Sequence, residues 1–183
     1  MSKYLPPESI QELIKIRDVI FAEQQKAWKL YGVDLLSTDG LSSLQVYEIV
    51  KQYDADFNVN FARNGEDGVS NGVLIESKTT KIKKTSSKAL FMFHAMGDIF
   101  HDRYIFVVRN YENLSPIRLF DIAEQENVEK VKAELLRLRE NYLSKGFRKY
   151  DGIHIKEKFI LKNLKFEKPM IFSDCIVNKD VIY

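Results

Sequence analysis

The sequence predicts an α/β (α+β) fold, a mixed central sheet with helices packed on it, because the period of its apolar residues changes along the chain. Helical spacing dominates the first fifty residues. Alternating and continuous apolar runs of strand length follow, and one more helical stretch separates two groups of strands. A chain of 183 residues with 45% hydrophobic residues can bury one core, and 30% charge with 8 Gly and 4 Pro excludes a disordered or fibrous protein.

Ser9–Tyr31 reads as a long helix. Ser9 and Glu12 have capping-box spacing, and Ile10, Leu13, Ile14, Ile20, Phe21, Trp28 and Tyr31 lie near one stripe before the stop at Gly32. Leu41–Tyr53 reads as a second helix, with Leu44, Tyr47, Ile49 and Val50 on its buried side. Phe57–Arg63 alternates as a half-buried strand does, and Asn64-Gly65 and Asn71-Gly72 are turn dipeptides. Val73–Ile82 is rich in β-formers, and Tyr104–Arg109 is an apolar strand suited to the middle of a sheet. Pro116–Ile122 adds a further strand. Val128, Val131, Leu135, Leu138 and Tyr142 mark an amphipathic helix ending near Gly146. Ile153–Leu161 and Met170–Val177 read as strands. With no repeat, low-complexity tract or Gly/Ser-rich linker, residues 1–183 are expected to form one domain.

Composition narrows the function. One cysteine, Cys175, can form neither an intrachain disulfide nor a zinc site alone, and it reads as a small buried hydrophobe. No signal-peptide pattern or membrane-length apolar run occurs, so a soluble cytoplasmic protein is expected. No P-loop, dinucleotide fingerprint, nucleophile elbow, H-E-x-x-H or C-x-x-C is present, and His94, His101, His154 and Cys175 do not suggest a zinc or Cys–His site. Net charge is only +2, but its signs are separated. Lys78, Lys81, Lys83, Lys84 and Lys88 lie in an acid-free segment, and eight cations crowd residues 145–168. Such a chain can turn one basic face toward a polyanion, though solvated surfaces carry the same pattern.

One constellation carries chemistry. Asp67 precedes a tight turn at Asn71-Gly72, and then comes the strand Val73-Leu74-Ile75-Glu76-Ser77-Lys78. Residues two apart on a strand share a face, so Glu76 and Lys78 project together, and the turn lets Asp67 approach Glu76. Two carboxylates meeting at one place need a cation between them, which is how Mg²⁺ is held, with the Ser77 carbonyl a further ligand. Lys78 could then orient or help deprotonate a water that attacks phosphorus. From the residues alone this is either a metal-dependent phosphodiesterase site or a surface ion pair. The E-x-K is the only one in the chain, and no D-x-K occurs.

Asp67…Glu76-Ser77-Lys78 resembles the PD-(D/E)XK nuclease superfamily, and within it the small type II restriction endonucleases of the PvuII type. Residues 65–71, Gly-Glu-Asp-Gly-Val-Ser-Asn, are similar to that type's Gly-x-Asp-x-Val-x-Asn segment. Asp39-Gly40…Leu44-Gln45-Val46 resembles its Asp-x-Gly…Leu-Gln-Val, and Phe93-His94-Ala95-Met96 falls where it carries histidines followed by Met. Tyr104–Arg109 resembles its core strand. Here Glu66 stands in place of the proline of PD, and one histidine of the run remains.

The resemblance implies a restriction-endonuclease-like fold and an Mg²⁺-dependent deoxyribonuclease that cuts both strands of a short site in double-stranded DNA. Asp67, Glu76 and Lys78 would be catalytic, and Asp67, Glu76 and Ser77 would hold the metal. Asp39 would face the minor groove and His94 would contact bases. Lys81, Lys83, Lys84 and Lys88 would meet phosphates, and His154, in the basic C-terminal stretch, could meet DNA. The implied assembly is a homodimer, with residues 9–53 serving subunit contact and the minor groove, and residues 57–183 catalysis and recognition. A cognate DNA methyltransferase would be its genetic partner. The readings that compete are a non-cleaving DNA-binding or accessory protein and a structure-specific nuclease of the same superfamily.

Overall fold

The computed structural model describes residues 7–31, 38–60, 66–82, 89–95, 100–111, 115–146, 152–165, 170–173 and 176–177. It divides into two compact units, Met1–Leu44 and Gln45–Tyr183, with the boundary inside the second helix. The first unit is dominated by α1 (Pro7–Tyr31). The helix begins two residues before Ser9, with Pro7 in the first turn, where its missing N–H costs nothing. Ser9 and Glu12 therefore lie inside the helix rather than at its cap. The apolar side chains along it, including Ile10, Leu13, Ile20, Phe21, Trp28 and Tyr31, are exposed.

The second unit takes in the C-terminal part of α2 (Thr38–Val50) and a seven-stranded sheet. Its strands are β1 (Asn58–Val59), β2 (Gly68–Ser70), β3 (Val73–Ile82), β5 (Arg103–Asn110), β6 (Pro116–Ile122), β8 (Met170–Ser173) and β9 (Ile176–Val177), adjacent in that order. β3 and β5 run parallel, and the other neighbouring pairs are antiparallel. Between them in sequence, β4 (Leu90–His94) leaves the sheet and pairs with β7 (Gly152–Lys156) as a separate ribbon. The helices α3 (Gln125–Leu143) and α4 (Glu157–Asn163) complete the unit.

β5 organises the layers. Its apolar run is wholly buried, as a strand covered on both faces must be. Tyr104, Phe106 and Val108 pack with Phe91 and Phe93 of β4, Ile153 and Ile155 of β7, Val128, Val131 and Leu135 of α3, and Ile160 of α4. Ile105 and Val107, pointing the other way, pack with Val46, Ile49 and Val50 of α2, Phe57, Ile75 and Leu119. The result is a mixed sheet with α2 on one face and the ribbon, α3 and α4 on the other.

The tail departs from the sequence reading. The strand expected over Ile153–Leu161 ends at Lys156, and the chain continues as α4. The buried residues Glu157, Ile160 and Leu164 are three and four apart, a helical period that follows directly on the alternation of β7. Glu157 closes the junction, accepting hydrogen bonds from Arg118 Nε at 2.6 Å and from the Ala89 N–H at 3.2 Å. Of the strand expected over Phe57–Arg63, β1 covers Asn58–Val59, and residues 61–65 lie outside the described residues. Gly32 and Cys175 also fall outside them. No helix among the described residues is long and apolar enough to cross a membrane.

Candidate active site

The site begins with a two-residue hairpin. Asn71 (φ 50°) and Gly72 (φ 80°) both adopt positive φ, the requirement of the tight turn that matches strand twist. The turn pairs Gly68 with Ile75, and the Asp67 N–H donates to the Ile75 carbonyl at 2.9 Å, so Asp67 comes beside Glu76 across the ladder. Gly68 has a packing role. A Cβ there would stand 2.7 Å from the Phe57 ring and 2.8 Å from the Asn58 carbonyl oxygen, so glycine is what lets β1 close against β2.

Glu76 and Lys78 share the sheet face that bears the ribbon. The Lys78 ammonium contacts Glu76 Oε1 directly, lies 3.4 Å from Asp67 Oδ2, and sits over the Phe93 ring, 5.4 Å from its centroid. One cation thus touches both acids. Asp67 Oδ2 also accepts the Ser77 N–H at 2.8 Å and the Ser77 hydroxyl at 3.2 Å. Ser77, whose carbonyl is the expected ligand, also holds Asp67 in position through its N–H and hydroxyl. Exposure is graded, with the Glu76 side chain 9% accessible, Lys78 24% and Asp67 32%.

This environment shifts two protonation equilibria. Burial pushes the Glu76 carboxyl upward; Lys78 opposes the shift, the nearby charge of Asp67 reinforces it, and the net direction is up. Burial alone would lower Lys78, but the two carboxylates outweigh it and hold its amine above the ordinary lysine value. At neutral pH Lys78 is consequently an ammonium that donates hydrogen bonds rather than a free base.

The donor set suits a hard cation. Among the described residues no three His, Cys, Asp or Glu side chains come together as a metal cluster. The pair Asp67 and Glu76 supplies carboxylate oxygens only. Magnesium is characteristically bound by one or two carboxylates, with waters and phosphate oxygens completing its shell. Two carboxylates with one neighbouring hydroxyl and no soft donor fit that ion.

The remaining expected site residues are dispersed. Lys81 is exposed on β3, and Lys83, Lys84 and Lys88 lie outside the described residues. Asp39 falls in the first turn of α2, but its surroundings lie outside them. His94 and His154 come together on the exposed face of the ribbon. Met92 pairs with His154, and His94 with Gly152, so both histidines point away from the buried Phe91 and Phe93. His154 also lines a cavity of about 260 Å³ between α3, β7 and α4, together with Lys156, Lys158 and Lys162.

The sequence reading missed His101. The Asp102 N–H donates to the Leu74 carbonyl at 3.0 Å, extending the parallel β3–β5 contact by one step and carrying His101 to the acid pair. Its Nε2 lies 3.5 Å from Glu76 Oε2. A histidine two residues ahead of the strand that neighbours Glu76 was the available signal, but it becomes visible only once β3 and β5 are known to pair. Behind the site, Arg103 bridges Asp121 (2.8 and 2.6 Å) and Asp54 (2.5 Å), Asp54 accepts the Ser70 hydroxyl at 2.9 Å, and Asp121 accepts the Tyr53 hydroxyl at 2.8 Å. This network ties the chain after α2 to β2, β5 and β6. Neither models of protein families nor curated proteins give a match to this chain.

Proposed function

We propose that this chain is an Mg²⁺-dependent endonuclease that hydrolyses phosphodiester bonds in both strands of a specific site in double-stranded DNA, on a restriction-endonuclease-like fold. One observation carries the reading: Asp67, just before β2, and Glu76, on the adjacent β3, converge on the ammonium of Lys78. Asp67 and Glu76 would hold the metal, and Ser77 would keep Asp67 in place. Bound magnesium would supply Lewis-acid stabilisation of the charge that develops on the phosphoryl oxygens. Lys78, released from the carboxylates, would donate hydrogen bonds to the attacking water or to a phosphate oxygen. Water then adds at phosphorus while one P–O ester bond breaks, leaving a phosphate monoester and a hydroxyl.

Other features support a DNA substrate. A two-stranded ribbon fits the major groove, and the exposed face of β4–β7 carries His94, His154 and Lys156. Lys81 continues the catalytic strand as an exposed cation. The exposed apolar residues of α1 suit pairing of two copies, as cutting of both strands requires. A cellular host would need a companion DNA methyltransferase to protect the same site.

The test is digestion of plasmid DNA of known sequence. Discrete fragments are expected with Mg²⁺ and none with EDTA. Lys78→Ala and Asp67→Ala should each slow cutting by at least about 10²–10³-fold while salt-sensitive DNA binding remains. Binding without any metal-dependent cleavage would overturn the nuclease reading in favour of an accessory protein. Cuts confined to branched or damaged DNA would replace site-specific cleavage with structure-specific cleavage.

A further inference from the structure

We propose that His101 is a positioning residue for Glu76, its imidazole donating Nε2–H to Glu76 Oε2 and so fixing the carboxylate that receives the metal. The inference rests on the metal-site reading above and adds a residue to it. Nothing in the local sequence around Glu76 points to this histidine.

Three observations converge. The His101 side chain is only 4% accessible. Neither ring nitrogen has a hydrogen-bond partner among the described residues, in a protein interior where buried polar atoms nearly always have one. The polar group that Nε2 faces is Glu76 Oε2, at 3.5 Å. The position is held firmly. The ring packs edge-on against Tyr104 (centroids 6.0 Å apart, planes at 87°), and Tyr104 is the register partner of Glu76 across the parallel ladder. The next residue, Asp102, is clamped to Leu74, with its N–H donating to the Leu74 carbonyl and its carboxylate accepting the Leu74 N–H at 3.4 Å.

An apolar residue would satisfy such a position with no unpaired donor, so an imidazole there calls for a task. The two oxygens of Glu76 meet different side chains, Oε1 touching Lys78 and Oε2 lying 3.5 Å from His101 Nε2. The His101 contact is longer than an ordinary N–H···O bond while Lys78 holds the other oxygen. Hydrogen bonds at catalytic sites often reach their working length only in the reacting complex. Partners that orient a metal-binding carboxylate, without touching the metal, typically govern affinity by about 10–100-fold.

The experiment titrates Mn²⁺, followed by its paramagnetic resonance signal, into the wild-type chain, His101→Leu and His101→Gln, with thermal melting of each metal-free protein alongside. His101→Leu should weaken Mn²⁺ binding by about 10–100-fold, and His101→Gln, which can still donate, should return it to within about threefold of wild type. A role confined to packing would change melting and leave Mn²⁺ affinity alone. Histidine-selective ¹⁵N spectra of the wild-type chain need no variant, and they should show a proton on Nε2 of His101. A bare Nε2 overturns the inference, as does Mn²⁺ binding by wild type that is indifferent to His101→Leu. Absence of Mn²⁺ binding by wild type would overturn the metal site itself, and with it this role for His101.

Discussion

Replacing Arg103 by Met tests the frame that holds the acid pair. The guanidinium makes three hydrogen bonds to two carboxylates and is 11% accessible, while Asp54 and Asp121 are 15% and 19% accessible. Burial works against the charge of Arg103, yet Asp121 and Asp54 raise its pKa well above the ordinary arginine value. Methionine of similar length leaves both carboxylates without their cation. Removing one partner of a buried ion pair costs about 3–5 kcal/mol, and the residual exposure here places the expected loss near about 3 kcal/mol. For a chain of this size that corresponds to a fall in melting temperature of about 6–12 °C. Urea unfolding followed by circular dichroism should show a lower midpoint with an unchanged slope. Adding Asp54→Asn and Asp121→Asn should recover part of the loss, because the stranded charges, rather than the absent methylenes, account for it. A loss below about 1 kcal/mol for Arg103→Met would refute the claim that this network anchors β2 to β5 and β6.

The pH dependence follows from the two shifts at the site. Glu76 is raised, so acidification protonates it at a higher pH than an ordinary glutamate, and Mn²⁺ affinity should begin to fall correspondingly early; Asp67→Asn titrated in parallel should bind weakly throughout. Lys78 is also raised, so its contribution to the metal-free fold is fully present below the ordinary lysine pKa and is lost only as pH rises through its higher folded value. Melting of the Lys78→Met variant should therefore converge with wild type only in strongly alkaline buffer. At α1, Phe21→Glu and Trp28→Glu should convert a dimer to a monomer in sedimentation velocity without changing the melting of the sheet unit. Wild type already monomeric at micromolar concentration would refute pairing through this helix.

Much of the architecture is legible in local pattern because its causes are local. Asn71-Gly72 announces a positive-φ turn since few other dipeptides adopt it without strain, and the turn alone brings Asp67 back to Glu76. The spacing of Val128, Val131 and Leu135 identifies the buried stripe of α3, and the unbroken apolar run of β5 its central place. The pair Glu76 and Lys78 shares a face by the geometry of any strand.

What the tertiary structure decided lies where distant segments meet. That β4 leaves the sheet to pair with β7, and so brings His94 and His154 onto one exposed face, depends on contacts some sixty residues apart, which no window of sequence reports. The switch from β7 to α4 comes where the β4–β7 ladder ends, after the Leu90–Lys156 pair, and Glu157 is buried against Arg118. His101 joins the acid pair only through the parallel β3–β5 ladder, and the bridge from Arg103 to Asp54 ties the chain after α2 to the sheet. Dihedral preference and side-chain period are properties of a few neighbouring residues. The choice of partner is settled by the burial gained when the whole chain closes, which is why the acid pair could be read in advance and the imidazole behind it could not.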